Sequence, residues 1–156
     1  LDMATAKWYG PAIGKVLRKQ IDLMNDTIKV ALVTSSYTPN RDTHDEWADV
    51  SSFEMSGSGY TAGGQALNSK TITYSNSDDW WTFDAADSSW SGVTASFRYA
   101  VIYDDTASGK PLIGIVDFGS TQTAVNQDVT IKWEYFYQDP ESSSIVTDSG
   151  ILRASV

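Results

Sequence analysis

The chain has 156 residues, no cysteine and a formal net charge of -9 at pH 7, with 20 acidic and 11 basic side chains. This length predicts a single domain whose core needs no disulfide staples. The missing cysteines exclude thiol catalysis and cysteine-ligated zinc or iron–sulfur clusters. Because DNA and anionic membranes are bound through clustered Lys and Arg, the acidic balance argues against both as partners.

Targeting signals are absent from the sequence pattern. No apolar run approaches the roughly 20 residues needed to span a bilayer, and the N-terminus shows no cationic segment followed by an apolar stretch. The sequence therefore predicts a soluble chain that is not secreted. Leu1 and Asp2 precede Met3, a candidate initiator, and are interpreted as a cloning remnant.

The first predicted element is an amphipathic helix over residues 11–25. It opens at Pro11, a favoured first-turn residue, and its apolar positions recur at spacings of three and four: Ile13, Val16, Leu17, Ile21 and Met24. The other face carries Lys15, Arg18 and Lys19, the most basic patch of an acidic molecule. This face is either a solvated helix surface or a docking surface for an acidic neighbouring subunit.

Residues 28–156 are predicted to form a β-sheet domain. Thr43 and Glu46 have capping-box spacing, which predicts one or two helical turns over residues 43–50. Many short strands after one helix predict a mainly β fold, an antiparallel β-sandwich or barrel-like domain with one N-terminal helix. The strand-like runs are 28–34, 52–56, 66–74, 80–84, 94–103, 112–118, 129–137 and 151–156.

Two of these runs are predicted to be buried on both faces, and the polar loop Asp104–Pro111 predicts that they form a hairpin. In the first run one face is Phe97, Tyr99, Val101 and Tyr103, and the other is Ala100 and Ile102. In the second run Ile113 and Ile115 oppose Leu112, Val116 and Phe118.

No catalytic, cofactor or metal site is predicted, and the chain is interpreted as non-enzymatic. His44, the only histidine, lies among acidic residues and could be a metal ligand or a general base, but a solvated capping segment is the favoured interpretation. The loop Gly57–Gly64 lacks the Lys of a phosphate-binding loop, so a tight connection is favoured. The pairs Asp78–Asp79 and Asp104–Asp105 lack calcium-loop spacing, and turn chemistry explains them.

Aromatic residues are abundant, with six tryptophans and eight tyrosines. Trp80 and Trp81 are adjacent in a strand and must point to opposite faces, and Trp81 shares its face with Phe83. The exposed one could anchor a protein interface, which is favoured, or stack on a sugar. Partner contacts are predicted at Trp8, Tyr9, Lys15, Arg18, Lys19, Trp80, Trp81, Trp90, Tyr135, Phe136 and Tyr137.

Five segments together resemble a family of small virion-associated proteins of tailed bacteriophages. They are DTIKVALVTSSYTPNRDTHDEWADV from Asp26, GSGYTAGGQAL from Gly57, RYAVIYDD from Arg98, KPLIGIVDFGS from Lys110 and GILRASV from Gly150. The resemblance covers most of the chain from Lys7 onward, and its motifs are strands with their turns. It implies a capsid decoration protein or another accessory subunit of the particle, and it carries over no active-site residue.

The chain departs from the family pattern at residues 134–148, where the usual connection is shorter. The aromatic run Tyr135–Tyr137, followed by a Pro- and Ser-bearing acidic segment, predicts either a protruding hairpin that meets a partner or a long loop folded back on the surface.

The favoured hypothesis is a virion structural protein that decorates the assembled capsid. It predicts localisation in the virion after synthesis in the host cytoplasm, homo-oligomerisation, and contact with the major capsid protein or other virion subunits. One alternative is a carbohydrate-binding accessory module that presents Trp80 or Trp81 together with Trp90. Another is a head–tail connector or tail-tube subunit.

Overall fold

The computed structural model describes residues 6–138 and 145–155. They form one helix, α1 (Gly10–Leu17), and two 3-10 turns at Trp47–Asp49 and Ser51–Phe53. The strands are β1 (Ala6–Trp8), β2 (Ile28–Val33), β3 (Gln65–Ala66), β4 (Thr71–Ser75), β5 (Trp80–Asp84), β6 (Ser88–Asp104), β7 (Leu112–Ile131), β8 (Glu134–Gln138), β9 (Ile145–Ser149) and β10 (Leu152–Ser155). The predicted mainly β fold with one N-terminal helix is confirmed.

The strands form three antiparallel sheets. The main sheet has the order β1-β7-β6-β2-β3, the small sheet has the order β10-β5-β4, and β8 pairs with β9 alone. Because the main sheet ends at β1 on one side and at β3 on the other, it is open, and the barrel-like alternative is wrong. The small sheet packs across one face of the main sheet, which is the layering of the predicted sandwich.

The hairpin of β6 and β7 lies at the centre of the main sheet and is buried on both faces, as predicted. Ala100 and Ile102 face the small sheet, whereas Tyr99 and Val101 face the opposite side. We call the first cluster the sheet–sheet core; it includes Val30, Leu32, Phe83, Ile102, Val116 and Leu152. We call the second the loop-side core; it includes Tyr9, Tyr37, Val50, Tyr99, Val101 and Tyr103.

Two register shifts correct the predicted faces of this hairpin. The register shifts between Phe97 and Tyr99, so Phe97 joins the sheet–sheet core and not the face of Tyr99. The pairing also steps from Gly114 to Leu112, which leaves Ile113 as the extra residue. Ile113 therefore faces the sheet–sheet core while Ile115 faces the loop side.

The approach of the two sheets depends on Gly114 in β7. A Cβ at this position would lie 2.8 Å from Cδ1 of Leu152, which belongs to the small sheet. Leu152 is 2% exposed and packs into the sheet–sheet core. Any side chain at residue 114 would therefore force the Leu152 side chain out of its present position in the sheet–sheet core.

The helix is shorter than predicted, because it ends at Leu17 and not near residue 25. The backbone of Lys19 adopts a positive φ of 59°, and its N–H bonds to the carbonyl of Val16. The N–H of Gln20 bonds back to the carbonyl of Lys15 at 2.8 Å. This pair of bonds is a Schellman cap, which stops the helix even though the apolar spacing continues to Met24.

Several predicted segments also differ from the structure. The run 52–56 is not a strand, since Ser51–Phe53 forms a 3-10 turn, and the capping box joins Glu46 to Asp49 instead of Thr43 to Glu46. The run 66–74 divides between two sheets, because Ser69 turns the chain at a φ of 54°. The runs 94–103 and 112–118 were predicted too short, and 129–137 divides between β7 and β8.

The segment 134–148 contains β8 and β9, whose backbones pair from Glu134 with Ser149 to Gln138 with Ile145. The side chains of Tyr135, Phe136 and Tyr137 fall outside what the structure describes. Their predicted contact with a partner stays a prediction.

A buried carboxyl group lies at the end of the central hairpin. Asp104 is fully buried, and its Oδ1 accepts hydrogen bonds from the backbone N–H groups of Thr106 and Ala107. Its Oδ2 is buried and receives no hydrogen bond from the described residues, and the carboxyl of Asp26 lies against the same group. Burial, reinforced by contact with Asp26, raises the pKa of Asp104 to about 6.

Because the pKa of Asp104 is raised, we expect the fold to lose stability as the pH rises from about 4 to above 6. The native state holds a proton that the unfolded chain releases near pH 3.8, so stability is fully present below that pH and is lost as the pH passes through the folded pKa. The loss is on the order of 3 kcal/mol. Asp104→Asn keeps the acceptor for both N–H groups and carries no charge, so its free energy of unfolding at pH 7 should exceed that of the wild type.

Urea titrations at pH 4.5, 5.5, 6.5 and 7.5 measure this difference. The matched control is Asp105→Asn, because two lysines, Lys110 and Lys29, lower the pKa of that neighbouring carboxyl. The control should retain the decline between pH 4.5 and 7.5. An equal decline in Asp104→Asn and in the wild type would show that Asp104 does not carry it.

Candidate docking groove

An apolar groove of about 210 Å³ lies between α1 and the small sheet. Val16, Leu23, Phe83 and Leu152 form its floor, and Trp8 of β1 also lines it. Its walls are Ile13 and Leu17 from the helix, and Ile72, Trp81 and Thr82 from the sheet. The groove continues past Ile72 to Met24, Lys19 and Asp22.

Large apolar side chains are exposed around this groove to an unusual degree. Leu17 is 79% exposed, and Trp81 is 46% exposed. Of the seven large apolar side chains that are exposed in the described residues, six border the groove or its aromatic end: Ile13, Leu17, Met24, Ile72, Tyr74 and Trp81. Together they present on the order of 600 Å², at the upper end of the largest apolar patches on monomeric proteins.

The sheet wall follows from strand alternation. Ile72 pairs with Phe83 across β4 and β5, and Tyr74 pairs with Trp81. These four side chains share one face, but only Phe83 reaches the sheet–sheet core, whereas Trp81 lies beyond its edge. The rings of Tyr74 and Trp81 pack with their centroids 5.2 Å apart, so the exposed pair forms one continuous aromatic surface.

The helix wall follows from the early end of α1. Ala12 is its buried residue, and Val16 is packed against the sheet–sheet core. Ile13 and Leu17 lie one turn apart on the neighbouring stripe, where no described element covers them. Ile21 reaches the core from the segment after the helix, so the helix itself does not complete its apolar face.

The two ends of the groove differ in charge. Arg18 and Lys19 follow Leu17 at the helix end, and Lys19 lines the groove beside Asp22. At the aromatic end, Asp79 accepts a hydrogen bond from the Tyr74 hydroxyl at 2.9 Å, which raises the pKa of that tyrosine. Asp78 precedes it in the same turn and accepts hydrogen bonds from the hydroxyls of Ser75 and Ser77. Asp78 lies on the outer face of the small sheet, so Lys19 marks the basic end of the groove and Asp79 marks its acidic end.

Trp80 occupies the opposite face of the small sheet from Trp81, as alternation predicts. This outer face is polar and forms a shallow depression of about 380 Å³. The depression is lined by Thr71, Thr73, Tyr74, Ser75, Asp78, Trp80, Thr82 and Asp84. Two adjacent tryptophans thus serve two chemically different surfaces, one apolar and one rich in hydroxyl and carboxylate oxygens.

The structure places the predicted contact residues in different environments: in the groove, on the outer face, in an ion pair or in the core. Trp8, Lys19 and Trp81 line the groove, Arg18 adjoins it, and Trp80 lies on the outer face. Lys15 is drawn into an ion pair with Asp45 at 2.6 Å. Tyr9 and Trp90 are 0% and 6% exposed, so their prediction as contact residues is wrong in this fold. Leu17, Ile72 and Tyr74 were not predicted, because their exposure depends on where the helix ends and how the sheets pack.

His44 has a structural environment. Its Nδ1 lies 2.8 Å from the hydroxyl of Tyr37, which lies 3.0 Å from the hydroxyl of Tyr9. The backbone N–H of Asn40 also points to Nδ1. This chain of contacts joins the 34–47 connection to the loop-side core. Within residues 6–138 and 145–155, no group of three or more His, Asp and Glu side chains could hold a metal ion.

The glycine loop and the acidic pairs also have structural explanations. Glu54 Oε1 accepts hydrogen bonds from the Tyr60 hydroxyl and the Gly63 N–H, and the Leu32 N–H donates to that hydroxyl. A Cβ at Gly64 would overlap the carbonyl oxygen of Val30, so the loop lies directly on β2. Asp105 forms ion pairs with Lys29 and Lys110.

Comparison of the chain with protein-family models, with curated proteins and with solved structures gives no match. Across the described residues, no helix is both long and apolar enough to cross a membrane.

Because the wall of the groove is exposed and its floor is buried, we expect substitutions at the two places to change the free energy of unfolding by very different amounts. Leu17→Ser should change the free energy of unfolding by no more than about 0.5 kcal/mol, because the side chain is already in water. Phe83→Ala should cost about 3–5 kcal/mol, because it leaves a cavity in the sheet–sheet core. Urea denaturation measures both. A loss above about 2 kcal/mol for Leu17→Ser would mean that this side chain is packed within the chain and is not a docking surface.

Proposed function

We propose that the protein is a non-enzymatic structural subunit of a bacteriophage particle, which decorates the assembled capsid and buries the apolar groove against another protein chain of the particle. The observation that carries this proposal is the groove itself, with six large apolar side chains in water beside a complete core. Such a patch has a free-energy cost in the isolated chain and is stabilised only when another surface covers it. The assignment to a phage particle is supported in addition by the sequence resemblance to phage virion proteins.

The chemistry of the groove matches protein interfaces better than a substrate site. Its rim provides Trp81 and Tyr74, residue types that dominate binding energy at interfaces. Charged residues stand only at its two ends, as in the polar rim of an interface. The floor is made of core side chains and provides no nucleophile or acid–base pair.

A protein that binds only the assembled capsid stabilises that state by mass action. At a free concentration one hundred times the dissociation constant, the gain is about 2.7 kcal/mol for each occupied site. The function then requires no chemistry in the subunit.

The test uses particles of the phage that encodes this chain, prepared with and without its gene. Particles lacking the protein should rupture at lower temperature, since the mass-action gain is lost. Added wild-type protein and the Trp80→Ser control should both restore the rupture temperature, whereas Trp81→Ser should not. Decoration also predicts hundreds of copies in each particle; a dozen or fewer would indicate a connector or tail subunit. Equal rupture temperatures with and without the protein would refute the decoration role.

A second candidate function is carbohydrate binding, and the observation that favours it is the outer face of the small sheet. There a tryptophan stands among threonine hydroxyls and the carboxylates of Asp78 and Asp84. An indole face can stack on a sugar ring while such oxygens accept hydrogen bonds from its hydroxyls. The buried Trp90 takes no part in this surface.

A glycan array probed with the labelled protein tests this second function. If it holds, Trp80→Ala should lose at least about 90% of the signal, because aromatic truncation at a binding site removes about 1.4 kcal/mol or more. Trp81→Ala is the matched control, since it removes the neighbouring indole from the opposite face. No sugar-dependent signal, or equal loss in both variants, would reject the outer face as a glycan site.

A further inference from the structure

We infer that the groove is occupied by a second copy of this chain, so that the functional unit is a two-fold symmetric dimer. This inference rests on the proposed role of the groove as a docking surface. It names the partner at that surface from the shape of the groove, the charges at its ends and the apolar area exposed around it.

The shape of the surface is self-complementary. Leu17 projects from the helix wall with 79% of its surface exposed, directly beside a groove of about 210 Å³. In a two-fold interface residue i of one copy meets residue j of the other, and the reverse contact forms as well. Leu17 of each copy can therefore enter the groove of its partner, where Ile72 and Trp81 form the opposite wall.

The charges of the two ends are also self-complementary. A two-fold axis through the middle of the groove brings the basic end of one copy, Arg18 and Lys19, to the acidic end of the other, Asp79. Both contacts form twice in the dimer. The opposite signs matter because the chain carries a net charge of -9, and two copies that met elsewhere would generally repel each other.

The exposed area is sufficient for a dimer when its rim is included. The six apolar side chains present on the order of 600 Å², whereas a stable interface buries about 800 Å² on each partner. The charged ends, together with Thr82 and Asp22, lie around the patch and can provide the remainder. A peptide or small ligand in the 210 Å³ groove would leave the outer part of Leu17 in water.

Sedimentation equilibrium of the free chain tests the inference through a charge exchange. The first variant carries Arg18→Glu and Lys19→Glu, and the second carries Asp79→Lys. In each variant the two ends of the groove have the same sign, so each alone should dimerise at least about tenfold more weakly than the wild type. Mixed in equal amounts, the two variants should form a heterodimer, because each end then meets the opposite charge. Circular dichroism checks that both variants are folded.

The possible outcomes separate this inference from the proposed function. A wild-type chain that stays monomeric up to millimolar concentration would overturn the dimer, and so would a dimer that both variants form unchanged. If such a monomeric chain still restored particle rupture temperature in a Trp81-dependent manner, the groove would bind the capsid directly and the proposed function would stand. A charge-dependent dimer that does not bind particles would support the dimer and refute the decoration role.

Discussion

The two-sided burial of the β6–β7 hairpin is the constraint on which the rest of the molecule depends. A strand pair that is apolar on both faces must be covered by two separate layers. On one side the cover is the loop-side core with Tyr9 and Tyr37; on the other it is the small sheet, brought close by Gly114. The long hairpin thus fixes where each remaining element can lie.

The groove exists because the layer formed by the small sheet and the helix covers its side of the main sheet only in part. The small sheet has only three strands, and the helix stops at Leu17, so neither reaches far enough to close the space between them. Trp81 and Leu17 stand on the two sides of this gap. The same alternation that turns Trp81 toward the gap turns Trp80 toward a polar face. The fold therefore presents two distinct surfaces on opposite faces of one small sheet.

Sequence reasoning predicted the parts of this structure that depend on local patterns. The two-sided strands, the polar loop between them and the opposed directions of Trp80 and Trp81 all follow from a period of two. The end of the helix did not follow, because Lys19 adopts the positive φ that glycine usually supplies at a helix cap. The bulge at Ile113 and the register shift beside Phe97 changed predicted faces, since such irregularities alter the alternation without a sequence signal. The groove depends on these tertiary details, so the sequence predicted Trp8, Lys19 and Trp81 as contact residues but not the groove that they line.

The central claim is that the protein acts by burying the groove against another protein surface. Hydroxyl-radical footprinting of purified particles tests it directly, because the reaction reports solvent access to individual side chains. We expect Trp81, Tyr74 and Met24 to be oxidised in the free monomer and protected in the particle, while Trp80 keeps its reactivity. Equal oxidation of Trp81 in the free monomer and in the particle-bound protein would contradict the claim.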